Sequence, residues 1–339
     1  MVEIKYIFIF IFTLIIGLPL YVMLNYYNVI DKPNSRSSHK KIIVRGGGIS
    51  VILAYILSVI LFSYNMNTNF YILLILLVSF TSFYDDLFNL NSIIRIIVHF
   101  VSALATVIIL TNLYSNNIIY SQINSYLLIA LATIFIVGYT NAFNFMDGMN
   151  GMAALQAIIS TFGTIVILSS DSVSLDLVPL TYNIFLGCCM LGFLPYNFPK
   201  PRMFLGDVGS ITLGFIISVN LFWILLHFGQ KYFIPLILLH INYILETSIT
   251  LARRFFNKEK WYLAHNEHFY QKLYRAGKTH VQVSLTYAIL QLIVVVLVSN
   301  FLSYTSSYKL IISFSIISIW LVFFFYSEWC FKNSKNKGA

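Results

Sequence analysis

Residues 204–228 read FLGDVGSITLGFIISVNLFWILLHF. From Ser210 to Phe228 the run carries no Asp, Glu, Lys or Arg. Wound as a helix, it spans close to the ~30 Å hydrocarbon core of a bilayer. A helix also satisfies every backbone N–H and C=O internally where no water is available to do so. The stretch therefore predicts a transmembrane helix, with one aspartate, Asp207, set between two glycines at its N-terminal edge.

The pattern extends along the whole chain. Hydrophobic residues make up 59% of 339 and charged residues only 10%, with a mean hydropathy of +0.82. A soluble domain carries about 25% charged residues. The predicted fold is all-α, a polytopic integral membrane protein of one domain over 1–339. Eleven spans are expected near 6–25, 48–64, 68–84, 93–112, 126–140, 152–170, 178–195, 210–228, 232–251, 282–303 and 308–328. The first is read as a retained span, because its apolar run is long and lacks a small-residue cleavage site. Cys188 and Cys189 fall within a span and Cys330 near a span end, so no disulfide framework is expected.

Orientation follows from Lys and Arg, which collect on the cytoplasmic side. With the N-terminus outside and the C-terminus inside, only Lys5, Lys231 and Lys309 of the 21 basic residues lie outside. The net charge of +9 then belongs to the cytoplasmic face, toward anionic lipid and anionic substrates. The inside segments are short, near 26–47, 84–92, 141–151, 196–209 and 252–281. No soluble domain remains to bind nucleic acid, so a site must be assembled from loops and helix ends at the membrane surface.

Four of the 12 acidic residues, Asp85, Asp86, Asp147 and Asp207, stand at the ends of apolar runs and on that same side. Ionised carboxylates beside the bilayer are costly and so demand a reason. Phe83-Tyr-Asp85-Asp86-Leu-Phe-Asn89 pairs two of them. Adjacent carboxylates repel unless a cation lies beside them, which points to a metal or general-base role over a simple helix cap; Asn89 shares their face if the helix continues. In Asn141-Ala-Phe-Asn144-Phe-Met-Asp147-Gly148-Met-Asn150-Gly151, a continuing helix would align Asn144, Asp147, Gly148 and Gly151 on one face. Close helix packing explains those glycines but not Asp147. In Gly206-Asp207-Val-Gly209, Asp207 could complement the helix dipole, while the glycines leave room that a metal needs and a cap does not.

Two further segments are basic. Lys41-Ile-Ile-Val-Arg45-Gly46-Gly47-Gly48 could bring backbone N–H groups and cations to a phosphate; the bland alternative is a flexible positive-inside loop. His265-Asn-Glu-His268-Phe-Tyr-Gln271-Lys272 lacks the zinc HExxH spacing, yet two histidines beside Lys272 suit a pyrophosphate. His99, His227, His240 and Glu246 lie in spans and are expected to be interhelical hydrogen-bonders or helix-end residues.

These five segments, in this order, resemble the polyprenyl-phosphate N-acetylhexosamine-1-phosphate transferase superfamily, glycosyltransferase family 4, and within it the bacterial branch that starts O-antigen, capsule or related glycans. The resemblance runs from Asp31 to about Arg275. It implies transfer of N-acetylhexosamine-1-phosphate from a UDP-sugar to undecaprenyl phosphate with release of UMP, in the bacterial cytoplasmic membrane, with Mg²⁺ (or Mn²⁺) as cofactor. Asp85 and Asp86 match the family's paired aspartates, Asp85 as the base toward the lipid phosphate. Asn144 and Asp147 match its Asn-x-x-Asp-Gly motif, and Asp207 its metal-ligating aspartate. Lys41, Arg45, Asn150, His265, His268 and Lys272 fall to the substrates. Asn150 departs from a second Asp found in many members. The His-x-x-His-x-Tyr-Gln form is similar to a subgroup associated with 6-deoxy sugars such as FucNAc or QuiNAc. Whether transfer is direct or passes through an aspartyl phospho-enzyme is open, as is homodimer assembly. Two rivals come from other classes. A transporter or flippase predicts charges in broken helices at mid-membrane, and an Asp-rich prenyltransferase needs a second Asp-rich motif.

Overall fold

A computed structural model describes residues 2–33, 42–65, 68–114, 125–169, 177–260, 263 and 265–337. Among them are twelve α-helices: α1 (Val2–Tyr26), α2 (Gly48–Ser63), α3 (Thr68–Phe88), α4 (Ser92–Leu113), α5 (Ser125–Phe145), α6 (Met152–Ser169), α7 (Val178–Asn197), α8 (Gly206–Phe228), α9 (Phe233–Phe256), α10 (Phe269–Arg275), α11 (His280–Val298) and α12 (Ser306–Lys337). Ten are long and apolar enough to cross a membrane, and α2 is a shorter apolar helix. Each of the eleven expected spans coincides with one of these, while α10 is a short helix in the long loop after α9. The protein is an all-α, multi-pass membrane protein.

The centre of the bundle is α8. It is apolar on every face, and a helix of that kind belongs in the interior; its residues from Val208 to Ile224 are buried without a break. Helices α2, α3, α4, α5, α6 and α7 pack around it. Small residues permit the closest crossings, as they do between helices in lipid. A Cβ on Gly48 would lie 2.1 Å from the Gly209 Cα, so α2 and α8 meet backbone to backbone at their N-termini. Large apolar side chains of α1, α4 and α12, among them Ile15, Ile97 and Phe314, face outward, as lipid contact requires.

Polar groups inside the bundle pair across helices. Tyr55, Tyr71 and Asn220 form a chain of hydroxyl and amide contacts at 2.8 and 2.9 Å. The Asn242 amide donates to Gln156 at 2.9 Å, and His240 and His227 meet Tyr139 and Tyr114. His99 does not follow the expectation of an interhelical hydrogen bond. Neither ring nitrogen has a partner among the described residues, and the hydroxyl of Ser102, three residues along the same face, is also unpaired.

Three local expectations change. The glycine-rich first loop is not a loose hinge. Strands β1 (Ile30–Asp31) and β2 (Ile43–Val44) pair antiparallel, and Val44 bridges to Met203. The N–H groups of Gly47 and Gly48 donate to the carbonyls of Phe204 and Leu205 at 2.8 and 2.9 Å, so they are engaged in joining α2 to α8 rather than presented to a phosphate. Asn89 does not extend a helical face. At φ 52, with its N–H on the Asp85 carbonyl at 3.0 Å, it is a left-handed residue closing α3. Asn144, Asp147, Gly148 and Gly151 do not share one helical face either, because α5 stops at Phe145 and 146–151 is a turn.

Candidate active site

The last turn of α3 sends its two aspartates to different partners. Asp86 reaches the first turn of α8, where Oδ1 accepts from the Asp207 N–H at 2.9 Å and Oδ2 from the Val208 N–H at 3.0 Å. An anion there offsets the positive end of the helix dipole and satisfies donors that have no intrahelical partner. Its side chain is fully buried. The approach depends on Gly206, at φ 73, where a Cβ would lie 2.7 Å from Asp86 Oδ2. Asp85 instead accepts from the Leu90 N–H at 2.6 Å and pairs with Arg95 of α4.

Two guanidiniums then converge on Asp207. Arg45, held by the β2 ribbon, lies 2.7 Å from both Asp86 Oδ1 and Asp207 Oδ1. Arg95 reaches Asp207 Oδ2 at 3.4 Å while holding Asp85. Burial works against the Arg45 charge, but Asp207, Asp86 and Asp31 together outweigh it and leave its pKa above the ordinary guanidinium value. Asp207 is the most open of the three helix carboxylates, with its side chain 20% exposed against 7% for Asp85. Asn144 supports the same helix by accepting from the Ser210 hydroxyl at 2.7 Å.

Asp147 joins the group from the turn after α5. Burial raises its pKa well above the usual carboxylate range, the charges of Asp207 and Asp86 raise it further, and Arg45 opposes them. Three helices, one turn and the residue after β2, far apart in sequence, thus bring four carboxylates and two arginines to one end of the bundle.

The histidine loop lies against that turn. Tyr270 donates its hydroxyl to the Phe145 carbonyl at 2.9 Å, and its ring lies so close to Gly148 that a Cβ there would meet the phenol oxygen at 2.2 Å. His268 stacks on Tyr270, centroids 5.8 Å apart, and His265 follows at 4.8 Å from His268. Burial first, then the charges of Arg254 and Arg253, pushes His265 down to about 4. Burial, with His265, Arg253, Arg254 and Lys272 adding to it, brings His268 to about 3. Both rings are neutral near pH 7 and each offers one donor and one acceptor.

Other sequence candidates are placed elsewhere. Lys272 is buried, paired with Glu328 of α12 and set over the Phe269 ring at 5.2 Å, so its charge is turned to α12 and not to the acids. The Asn150 amide points to the Pro199 carbonyl at 3.4 Å, its N–H to His280 and its carbonyl to Ser284; it ties the turn to α11. Lys41 lies outside the described residues. Arg95 was not singled out from sequence, though it is the sole cation of the short α3–α4 hairpin, ten residues past Asp85.

Oxygen donors from carboxylates suit a hard cation such as Mg²⁺ or Mn²⁺. No three His, Cys, Asp or Glu side chains among the described residues form a ready cage. Mg²⁺ does not require one, being held by one or two carboxylates with substrate phosphates and water. Asp207 and Asp147 fit that role.

A family model described as glycosyl transferase family 4 matches residues 68–225. The chain is 26% identical over 261 residues to a probable undecaprenyl-phosphate N-acetylglucosaminyl 1-phosphate transferase of Bacillus subtilis, covering 74% of this chain and 71% of that relative. Residues 68–225 are thus similar to glycosyl transferase family 4. Shorter stretches are similar to relatives named phospho-N-acetylmuramoyl-pentapeptide-transferase. One from Enterococcus faecalis is 34% identical over 118 residues, 35% of this chain and 34% of the relative. One from Chlamydia trachomatis is 36% identical over 96 residues, 28% and 29% of the two chains. The family 4 match takes in Asp85, Asp86, Arg95, Asn144, Asp147 and Asp207, and it stops short of the histidine loop.

Proposed function

We propose that this protein transfers N-acetylhexosamine-1-phosphate from a UDP-sugar to undecaprenyl phosphate, releasing UMP, to start a lipid-linked glycan. The observation that supports it above all is the gathering of Asp85, Asp86, Asp147 and Asp207 around Arg45 and Arg95 at one end of a membrane bundle. A lipid phosphate arrives along the membrane and a nucleotide from water; a charged cluster at the bundle end is where both can be held. The positive-inside bias supports reading that end as cytoplasmic, and the membrane proposed is the inner membrane of a bacterium.

In this reading an oxygen of the lipid phosphate attacks the β-phosphorus of the UDP-sugar, and the bond to UMP breaks. Bound at Asp207 and Asp147, Mg²⁺ would offset charge on the pyrophosphate and the departing UMP. Arg45 and Arg95 hold the carboxylates in fixed positions and present their remaining N–H groups to phosphate oxygens. Asp86 fixes the first turn of α8 and hence Asp207. Asp85 sets the Arg95 fork. A phosphate monoester is largely ionised near pH 7, so the acceptor needs little help from a base. His265 and His268, neutral and beside the Asp147 turn, would contact the pyrophosphate, and positioning supplies much of the rate.

The test is UMP release by purified protein from a panel of UDP-N-acetylhexosamines, 6-deoxy sugars included, with and without undecaprenyl phosphate. Release that needs both the lipid phosphate and Mg²⁺ supports the reading. Release independent of the lipid, or none with any donor, overturns it.

A further inference from the structure

Glu246 is a wholly buried carboxylate in the middle of α9, and none of the chemistry above uses it. Its surroundings are not those of an idle charge. Oε1 accepts from the Tyr270 N–H in the first turn of α10 at 3.0 Å. Oε2 accepts from the Tyr287 hydroxyl of α11. Tyr287 is fixed in turn by the rings of Trp320 and Phe323 of α12, with centroids 5.6 and 5.1 Å away. One carboxylate therefore ties four elements together.

The other end of Tyr270 reaches the proposed active site. Its hydroxyl donates to the carbonyl of Phe145 at 2.9 Å, the residue where α5 ends. Its ring occupies the space that only a glycine at 148 leaves open, next to Asp147. His268 stacks flat on the same ring, at an interplanar angle of 10°. Tyr270 is thus a strut with its backbone on Glu246, its face on His268 and its tip on the Asp147 turn. A buried carboxylate is costly unless its oxygens are satisfied, and here the satisfaction sets the height of the strut.

We infer that Glu246 is a positioning residue. Through Tyr270 it sets the distance between the histidine loop and the Asp147 turn, and so the gap in which the pyrophosphate of a nucleotide sugar is gripped. This deepens the function proposed above and rests on it for the ligand. The mechanical part stands independently of any substrate.

Two measurements separate the parts. The first is backbone hydrogen exchange of the purified protein in detergent, without substrate. Glu246→Ala and Tyr270→Phe should both speed exchange at 146–151, and Glu246→Ala also at 268–272. Glu246→Gln keeps an acceptor for the Tyr270 N–H and should resemble the parent protein. Unchanged exchange at 146–151 in both Glu246→Ala and Tyr270→Phe overturns the inference, whatever the enzyme assay shows. Tyr270→Phe covers the case in which Glu246→Ala does not fold.

The second is steady-state UMP release. Tyr270→Phe should raise KM for the UDP-sugar by about 10-fold or more, as loss of an orienting partner does, with a smaller change in kcat. Glu246→Ala should raise KM likewise, while Glu246→Gln, which keeps an acceptor for the Tyr270 N–H, should stay near the parent value. A fall in kcat alone, equal in Gln and Ala variants, would mean a charge role and sink the positioning account. A parent protein with no activity on any donor would remove the proposed reaction and leave the exchange result to decide the strut.

Discussion

Asp207 stands between two arginines, with one guanidinium on each oxygen and the N-terminus of α8 behind it. Asp207→Asn keeps the shape and removes the charge that both arginines share. UMP release should fall by about 10²-fold or more, the scale seen when a group stabilising transition-state charge is lost, while membrane insertion and folding persist. Retained activity would take Asp207 out of the reaction. Arg95→Ala leaves Asp85 buried without its cation and should cost about 2 kcal/mol of stability. That is less than the 3–5 of a fully enclosed pair, because Arg95 remains 29% exposed; chemical denaturation in mixed micelles would read it. The histidines give a pH signature. Both fold with pKa values below the unfolded ~6.5, at about 4 for His265 and about 3 for His268. The folded loop then binds fewer protons than the unfolded one, so its stability is intact above about 6.5 and is lost as pH falls from there toward 4 and 3. Limited proteolysis around residues 257–268 at stepped pH should show cleavage rising through that window, and less so in a His265→Asn, His268→Asn double variant.

At the level of elements, the tie between α3 and α8 is the one most open to test. Gly206→Ala places a side chain at positive φ and pushes against Asp86 Oδ2, so Asp86 must leave the first turn of α8. Loss of such a cap is worth about 1–2 kcal/mol, and activity should drop with it because Asp207 shifts. An unchanged thermal midpoint and unchanged turnover would remove the cap from the account. This tie also marks what the sequence could and could not reveal. The eleven apolar runs were legible because hydropathy acts along the chain, one segment at a time. The division of labour between Asp85 and Asp86 was not, since adjacency in sequence suggested one shared cation and the partners lie on α4 and α8. The Lys272 ion pair is hidden for the same reason: its neighbour in the chain is the histidine loop, but its neighbour in space is Glu328. The turn at 146–151 escaped because the helical spacing of Asn144, Asp147 and Gly151 was satisfied on paper, while Tyr270, over a hundred residues away, occupies the place into which a side chain at 148 would project.

For the whole molecule, the distribution of Lys and Arg predicts which end meets the cytoplasm. In a Cys330→Ser background, Lys258→Cys should react with an impermeant thiol reagent only after the inner face is opened, and Ser306→Cys from the outside; the reverse pattern would invert the topology and displace the active site. Charge counted loop by loop makes such an orientation predictable from sequence, because it needs no knowledge of packing. The position of α8 carries a further consequence. Walled in by six other helices and pinned at its tip by Asp86, it has nowhere to travel. The carboxylate at that tip is an anchored post, and reactants have to be delivered to it. Any motion that the proposed reaction needs would have to come from outside that inner ring, while the furniture inside stays bolted down.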